Sequence, residues 1–388
     1  MTPGARVDAA IEILDAILAG QAAEPAIARW SRASRFAGSK DRAAVRDHVF
    51  DALRAKRSLA AQGGGETGRA ILLALTDGQG TRESLFSGEG HAPAPPTPEE
   101  RAALAATPDL TEPEAANLPD WVWPLWQDAL GGKAMAVAQL MRDRAGVFLR
   151  VNRTNTTMDK AIAALSADGV TARALDAPVG ALEVVEGARR IKQARAYLDG
   201  SVELQDPASQ IAIAGLPLTA GMRVLDYCAG GGGKALAMVD RASVFVTAHD
   251  IAPARMADIS VRAARAGKTI DVLGPSRLSG SYDLVLVDAP CSGSGTWRRT
   301  PDAKWRLTPQ DLEDLIVLQS DILSKASRSV TDGGYLAYAT CSVLRQENET
   351  IVAQFLADHA GWSTEHEMRL EPSVGNDGFY LRLLKSPR

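Results

Sequence analysis

The sequence of 388 residues is poor in cysteine, in aromatic residues and in long apolar runs. Its three cysteines cannot all pair in disulfides, and no secretory leader is recognised, so we expect a cytoplasmic protein. No apolar run reaches the roughly 18 residues that a membrane-spanning helix needs, and no membrane segment is predicted. The net charge of −4 excludes a uniformly basic surface and leaves nucleic acid only local basic patches.

Histidine is also scarce, with five residues dispersed along the chain. The cysteines do not have the close paired spacing of zinc ligands. Neither residue type forms a cluster that could hold a metal ion, so we predict no metal site.

Basic residues concentrate near the start of the chain. Residues 29–57 hold nine Lys or Arg and three Asp. The region is predicted to be helical, because Val7, Ile11, Leu14 and Leu18 share one face at helical spacing and Ser39 can cap the helix that follows it. Such a run is typical either of a solvated helical face or of an RNA-binding surface. If it binds RNA, Arg42 and Arg46 are candidate contacts.

Changes in composition divide the chain into four segments. We predict a helical domain at 1–90, a Pro-rich linker at 91–119, a small α+β module at 120–202 and an α/β domain at 203–388. Several tryptophans open the third segment, and we expect Trp126 and its neighbours to anchor a core. Arginines in the same segment, at 150 and 153, are further candidates for RNA contact.

The last segment alternates buried strands with amphipathic helices. The runs "MRVLDYCA", "SVFVTAHD", "YDLVLVDAP" and "GGYLAYATC" predict strands, and the stretch 308–330 predicts a long helix. Continuous apolar strands that alternate with helices indicate a mostly parallel sheet with both faces covered. Ligands of such sheets bind at the carboxyl ends of the strands.

A glycine cluster, "AGGGGK" at 229–234, follows the first of these strands. Gly230, Gly232 and Ala235 match G-x-G-x-x-A, so the turn could hold a dinucleotide or an adenosine-bearing methyl donor, or could be a tight turn without a ligand. Asp250, at the end of the second strand, is the acid expected to accept hydrogen bonds from ribose hydroxyls.

Two of the three cysteines follow neighbouring strands, Cys291 in "DAPCSGSG" and Cys341 in "YATCS". A nicotinamide enzyme has no evident use for such a pair, whereas a cytosine methylase does. A thiolate that adds to carbon 6 of cytosine makes carbon 5 nucleophilic toward a methyl group, and a second thiol suits the release step. Asp288 is placed to hydrogen-bond the ring as charge builds up.

With these residues in place, the chain resembles the Nop/Sun RNA (cytosine-5)-methyltransferases. The resemblance rests on "LDYCAGGGGK", "DAPCSGSGTWRRTPDAKWR", "YATCSVLRQENE" and "DGFYLRLL", with "LRVNRTNTT" and "VELQDPASQ" upstream. The first hundred residues are similar to the NusB-like domain of the bacterial small-subunit rRNA enzymes of this family. The resemblance therefore implies a Rossmann-like methyltransferase sheet, preceded by an RNA-contacting α+β module and an all-helical NusB-like domain.

The resemblance also implies roles for single residues. Cys341 would be the nucleophile, Cys291 the releasing residue and Asp288 a contact of both base and donor. S-adenosylmethionine is the implied cofactor and 16S rRNA the implied partner. The implied donor-binding residues are Asp226, Cys228, Ala229, Gly230, Gly231, Gly232, Gly233, Lys234, Asp250, Asp271 and Asp288. The candidate RNA contacts are Arg42, Arg46, Arg150, Arg153, Arg298, Arg299 and Lys304.

One departure and two alternatives accompany this interpretation. Family members have Ala-Ala-Pro-Gly-Gly-Lys at 229–234, and the loss of the proline predicts a looser loop in this chain. Cys228 on its own is typical of a small buried apolar residue. The alternative functions are a catalytically silent RNA-binding ribosome assembly factor and an NAD-dependent oxidoreductase.

Overall fold

The computed structural model describes residues 1–76, 82–178, 180–274, 278 and 280–388. Parts of three predicted domains lie outside the described residues: residues 77–81 of the helical domain, residue 179 of the α+β module, and residues 275–277 and 279 of the α/β domain. Contacts divide the chain into two compact units, Met1–Arg144 with Trp297–Pro309, and Ala145–Thr296 with Gln310–Arg388. Within the described ranges, no helix combines the length and the apolarity needed to cross a membrane.

The first 144 residues contain helices and no described strand. In chain order they are α1 (Pro3–Leu18), α2 (Ala23–Ala33), α3 (Ser39–Arg54), α4 (Lys56–Gly63), α5 (Gly68–Leu75), α6 (Arg82–Leu85), α7 (Pro98–Ala105), α8 (Glu112–Ala116), α9 (Val122–Leu130) and α10 (Ala134–Leu140).

The remaining chain alternates strands and helices. Its elements up to residue 273 are β1 (Val147–Val151), α11 (Met158–Ala167), β2 (Thr171–Ala174), β3 (Ala181–Glu186), α12 (Arg195–Leu198), β4 (Val202–Leu204), α13 (Pro207–Ala214), β5 (Arg223–Asp226), α14 (Gly233–Arg241), β6 (Phe245–His249), α15 (Ile259–Arg265) and β7 (Asp271–Leu273). The others are β8 (Tyr282–Asp288), α16 (Ala303–Arg306), α17 (Pro309–Ser327), β9 (Val330–Thr340), α18 (Glu349–Asp358), β10 (Ser363–Leu370) and β11 (Phe379–Lys385).

An apolar core of the helical unit takes fully buried side chains from α1, α3 and α5. Local signals begin its helices: Thr2 caps α1 ahead of Pro3, and Thr97 forms a capping box with Glu100 at α7. The predicted linker 91–119 therefore contains two helices, α7 and α8, and both belong to this unit.

A late segment of the chain, Trp297–Pro309, completes the helical unit. Trp297 stacks on Trp126 with ring centroids 5.8 Å apart, and both rings are fully buried. The Lys304 ammonium donates to the Arg54 carbonyl at the end of α3, over 3.1 Å. The helical unit is therefore built from two separate stretches of the chain.

The second unit begins with a small antiparallel sheet in the order β2-β3-β1-β4, with α11 packed against it. This sheet lies within the predicted α+β module. By contacts, α9 and α10, which lie in the first part of the predicted module 120–202, group with the helical unit.

The large sheet has seven strands in the order β10-β11-β9-β8-β5-β6-β7. The five from β9 to β7 are parallel, and β11 and β10 add antiparallel strands at one edge. Successive residues of β8 point into two different cores, one formed with α13, α14 and α15 and the other with α17 and α18. The predicted sheet with both faces covered is confirmed, and so is the long helix near 308–330.

Candidate active site

The two cysteine loops leave neighbouring strands. β8 and β9 are parallel partners, and Asp288 at the end of β8 lies beside Ala339 of β9. The loops that follow bring the Sγ atoms of Cys291 and Cys341 to 3.4 Å from each other, and both thiols are free. The arrangement expected from the strand ends is therefore present.

Backbone contacts hold the two loops together. The Gly295 amide donates to the Cys341 carbonyl over 2.9 Å, and the Gly378 amide donates to the Gly295 carbonyl over 2.9 Å. A Cβ atom on Gly295 would lie 2.7 Å from the Cys341 carbonyl oxygen, so only glycine allows this approach.

A buried carboxylate that sequence reasoning missed also joins the loops. Glu347 is fully buried and accepts hydrogen bonds from the backbone amide and the hydroxyl of Ser292 and from the hydroxyl of Ser342. Gln319 of α17 adds a fourth bond over 3.0 Å. Each serine directly follows one of the two cysteines. The motif "RQENE" was visible in the sequence, but nothing in its spacing shows that its first glutamate is the buried one.

The two thiols have opposite electrostatic environments. The hydrogen bond from Cys291 lowers the pKa of Cys341 below its ordinary value, and the ammonium of Lys234 also lowers it. Burial opposes this effect but does not cancel it. The same thiol–thiol contact, together with burial, raises the pKa of Cys291. Cys341 is thus the thiol more readily deprotonated, and Cys291 the one that keeps its proton.

Lys234 and Asp288 form an ion pair next to the thiols. The ammonium donates to Asp288 over 2.6 Å. Burial works against the charge of Lys234, yet the neighbouring Asp288 carboxylate raises the pKa of the lysine overall. Lys234 therefore stays protonated and holds Asp288 in place.

A cavity of about 600 Å³ opens beside these groups, within the usual size range of small-molecule sites. Predicted residues that line it are Asp226, Cys228, Ala229, Gly230, Gly231, Gly233, Lys234, Asp288, Cys291 and Cys341. Residues that line it without having been predicted include Gln205, Asp206, Ser209 and Arg255.

Asp226 is the most unusual group in this cavity. It is buried, and neither of its carboxylate oxygens has a hydrogen-bond partner among the described residues. Burial and the nearby Asp288 raise the pKa of Asp226 to about 7. An unpartnered carboxylate at a cavity wall fits a ligand that brings its own cationic donor.

The glycine loop is held by contacts from its neighbours. The Gly230 amide donates to Asp250 over 2.9 Å, and Arg262 donates to the Gly231 carbonyl. Gly230 and Gly232 both have positive φ, at 51° and 78°. These two hydrogen bonds restrain a loop that was predicted to be loose without its proline.

Three predicted donor contacts do not line the cavity. Asp250 is buried and accepts from the amides of Gly230 and Ala252, and it pairs with Arg255 over 3.2 Å. A Cβ on Gly232 would lie 2.7 Å from Ile259, so this glycine serves close packing against α15. Asp271 is exposed on the edge strand β7.

Two of the residues that were predicted to contact RNA are buried. Arg298 and Lys304 are each 2% exposed inside the helical unit, where a phosphate group cannot reach them. Burial, with the nearby guanidinium of Arg54, lowers the pKa of Lys304 to about 7. Arg298 accepts a hydrogen bond from Arg54 at its carbonyl, over 2.8 Å. Their role is to pack this segment against α3.

The other basic candidates differ in their surroundings. Arg150 is buried and pairs with Asp240 over 2.6 Å, so it is a structural group. Arg153 is exposed and lines a second cavity of about 740 Å³. Arg42 is exposed, Arg46 is exposed and paired with Glu24, and Arg299 is partly buried. In the described part of the chain, no cluster of His, Cys, Asp or Glu could hold a metal ion.

The chain is similar to known RNA methyltransferases in sequence and in fold. The family model of the 16S rRNA methyltransferases RsmB/F matches residues 213–382, and that of the ferredoxin-like domain of RsmF/B-like methyltransferases matches residues 118–188. The fold is similar to that in the crystal structure of PH0851, with a TM-score of 0.78 over 100% of this chain and 99% of that chain. The two sequences are 20% identical. The structure of NSun6 from Pyrococcus horikoshii with SFG gives 16% identity and a TM-score of 0.61 over 70% and 98% of the two chains. At these identities the structures show a shared fold.

Curated relatives carry the name ribosomal RNA small subunit methyltransferase B. The protein of Enterobacter sp. (strain 638) is 33% identical over 61% of this chain, and the match spans only 57% of that relative's length. The protein of Pectobacterium carotovorum subsp. carotovorum (strain PC1) is 30% identical over 72% of this chain and 70% of its own length. The chain therefore belongs to the RsmB/F family of 16S rRNA methyltransferases.

Proposed function

We propose that this protein transfers a methyl group from S-adenosylmethionine to carbon 5 of a cytosine in 16S rRNA, through a covalent bond between Cys341 and the base. The observation that carries the proposal is the 3.4 Å approach of Cys341 to Cys291 at the wall of a cavity that Asp226, Lys234 and Asp288 also line. Three free thiols fit a reducing compartment, and we place the reaction in the cytoplasm.

The residues of the cavity fit the donor. S-adenosylmethionine, when bound, supplies an electrophilic methyl carbon on a sulfonium that leaves as a neutral thioether. Asp226, whose oxygens have no partner among the described residues, would accept hydrogen bonds from the donor's ammonium group. The glycine loop would allow close approach of the backbone to the donor, because Gly230 and Gly231 carry no side chain at the cavity wall.

Cys341 begins the reaction. Its thiolate, favoured by the Cys291 hydrogen bond and by Lys234, adds to carbon 6 of the cytosine and breaks the aromaticity of the ring. The Asp288 carboxylate accepts a hydrogen bond from the amino group of the cytosine and so holds the base, while Lys234 holds the carboxylate in position. Carbon 5 then bonds to the methyl carbon, and the sulfur–methyl bond breaks.

Cys291 ends the reaction. Once Cys341 is bonded to carbon, its negative charge no longer raises the pKa of Cys291, and the Cys291 proton can pass to solvent. The Cys291 sulfur then takes the proton from carbon 5, the double bond re-forms, and Cys341 leaves as a thiolate. The pair returns to its starting state, with one proton released to solvent for each methyl group transferred.

Donor binding is expected to depend on pH through Asp226. Because the pKa of this carboxyl is about 7, it is mostly protonated and neutral at pH 5.5 and half ionised at pH 7. If only the ionised form holds the ammonium group, affinity for S-adenosylmethionine should rise roughly fifteenfold between these values. Calorimetric titration across this range measures the effect. The Asp226→Asn variant should bind S-adenosylmethionine weakly, and its affinity should not change with pH. If the affinity of the unaltered protein did not change with pH either, Asp226 would not hold the ammonium group.

The proposed function is tested with purified protein, transcribed 16S rRNA and S-adenosylmethionine labelled in its methyl group. After digestion to nucleosides, the label should appear in 5-methylcytidine. Asp271→Asn is the matched control, because Asp271 lies on an exposed edge strand outside the cavity, and it should label RNA normally.

The two alternatives predict other results in the same experiment. An assembly factor without catalysis would bind the rRNA and leave it unlabelled. An oxidoreductase would bind NAD and would not depend on Cys341. Label in a nucleoside other than 5-methylcytidine would overturn the position of transfer, and no label at all would overturn the proposed activity.

A further inference from the structure

The turn between α2 and α3 presents a large aromatic ring to solvent. Phe36 is 77% exposed, while Ser34 and Ala37 on either side of the turn are buried. The Ala37 amide donates to the Ser34 carbonyl over 3.0 Å, which closes the turn with Arg35 and Phe36 at its centre. The ring is therefore held outward by an anchored backbone.

Exposed cations lie on both sides of Phe36 in sequence, on the two helices that the turn joins. Arg29 and Arg32 lie one turn apart on α2, Arg35 lies in the turn, and Lys40 and Arg42 lie in the first turn of α3. We call these five residues and Phe36 the α2–α3 surface. Across the part of the chain that the structure describes, none of the five cations has an ion pair or a side-chain hydrogen bond.

Nearby cations of the same unit behave differently. Arg6 pairs with Asp41, and Arg46 pairs with Glu24. Asp41, the acid inside the α2–α3 surface, also accepts from the amino group of Met1 and so does not neutralise the five cations. Asp41 lies between Lys40 and Arg42 in sequence but pairs with Arg6 and with the amino group of Met1, so no described carboxylate pairs with any of the five cations.

We infer that the α2–α3 surface binds single-stranded RNA, with Phe36 stacked on an unpaired base and the cations on the flanking phosphates. A single exposed phenylalanine is common on protein surfaces and needs no explanation. A ring beside unpaired cations, however, can contact both the base and the phosphate of a nucleotide. RNA is favoured over a protein partner, because five cations without a carboxylate partner match the regular negative charge of a phosphate backbone. The inference deepens the proposed function, since it names the part of the RNA that the helical unit would contact.

The test measures RNA binding by the full-length protein, by fluorescence anisotropy, at several salt concentrations. The probes are a fluorescein-labelled single strand of RNA and a duplex of the same length. Phe36→Ala should weaken binding of the single strand about tenfold and leave the duplex unchanged, whereas Phe36→Trp should keep the affinity. Phe245→Ala is the matched control, because this ring is 70% exposed and lies on β6, outside the α2–α3 surface, and it should have no effect.

The cations are tested separately through the salt dependence. Arg32→Gln and Arg35→Gln should each lower the slope of log affinity against log salt by about 0.7, since each removes one phosphate contact to a single strand. All the substituted side chains are exposed, so the melting temperatures should match that of the unaltered protein.

Several results would overturn the inference. These are an affinity for the single strand that Phe36→Ala changes less than twofold, an equal loss for single strand and duplex, or an unchanged salt slope in both arginine variants. Because the readout is binding, it is separate from methylation. A protein that binds through Phe36 but labels no cytosine would keep this inference and overturn the proposed function, and labelling with no role for Phe36 would do the reverse.

Discussion

Replacing Cys291 with alanine is expected to trap the protein on its RNA. Cys341 keeps its sulfur in this variant, so it can still add to carbon 6 and methylation of carbon 5 can follow. The proton on carbon 5 then has no nearby base, and the bond to Cys341 cannot be eliminated. We expect a protein–RNA adduct that survives denaturing electrophoresis, and a turnover at least a hundredfold below that of the unaltered protein.

Cys341→Ala should behave in the opposite way, with no adduct and no methylated product. The double variant, with alanine at both positions, is the matched control for nonspecific crosslinking and should also give no adduct. RNA with uridine in place of the target cytosine checks that the bond forms on that base. An adduct that persists in Cys341→Ala and disappears in Cys291→Ala would reverse the two roles.

The proximity of the two cysteines could be predicted because it depends only on sequence patterns close to each of them. Apolar runs gave the strands, and parallel strands direct their following loops to one edge of the sheet. Cys291 and Cys341 follow such runs directly, so their proximity needed no knowledge of the packing. The glycine loop and Asp226 were found for the same reason, since both follow or end the first strand.

Other features depend on contacts between residues far apart in sequence. Arg298 and Lys304 follow the catalytic turn and carry charge, which suggested phosphate contact, but they are buried against the end of α3 about 250 positions earlier. No periodicity shows that Trp297–Pro309 completes a helical core. The resemblance suggested Asp271 as a donor contact, yet Asp271 begins β7, the edge strand of the sheet, and is exposed there.

Glu347 is the clearest case of a residue that only the tertiary structure identifies. It lies six positions after Cys341, in a turn ahead of α18, and looks in sequence like a solvated glutamate. Its carboxylate instead accepts from the hydroxyls of Ser292 and Ser342, the residues that follow the two cysteines, and no cation pairs with it in the described residues. It positions both loops without touching the reacting atoms.

Glu347→Gln is therefore expected to lower turnover strongly. A carboxylate can accept at both oxygens, whereas the amide nitrogen of glutamine is a donor that would face the donors of Ser292, Ser342 or Gln319. At least one buried hydrogen bond is lost and the two loops shift apart. A displacement of about 1 Å in a catalytic group can cost roughly a hundredfold in rate, and we expect a fall in kcat of that size.

The measurement must separate positioning from general instability. We expect the KM for RNA and the affinity for S-adenosylmethionine to change little, because Glu347 lies outside the donor cavity. The loss of a buried acceptor should lower the free energy of unfolding by about 1–3 kcal/mol, which a denaturant titration measures. Adduct formation in a Cys291→Ala background should slow by the same factor as kcat, since the attack by Cys341 depends on the loop geometry.

Glu365→Gln is the matched control, because it makes the same chemical change at a glutamate that is exposed on β10. It should alter neither kcat nor stability. If Glu347→Gln lost stability while its kcat and its rate of adduct formation stayed at the level of the control, the carboxylate would support the fold alone. If kcat and adduct formation fell together at temperatures where the variant is fully folded, the spacing of the two sulfur atoms would be what Glu347 maintains.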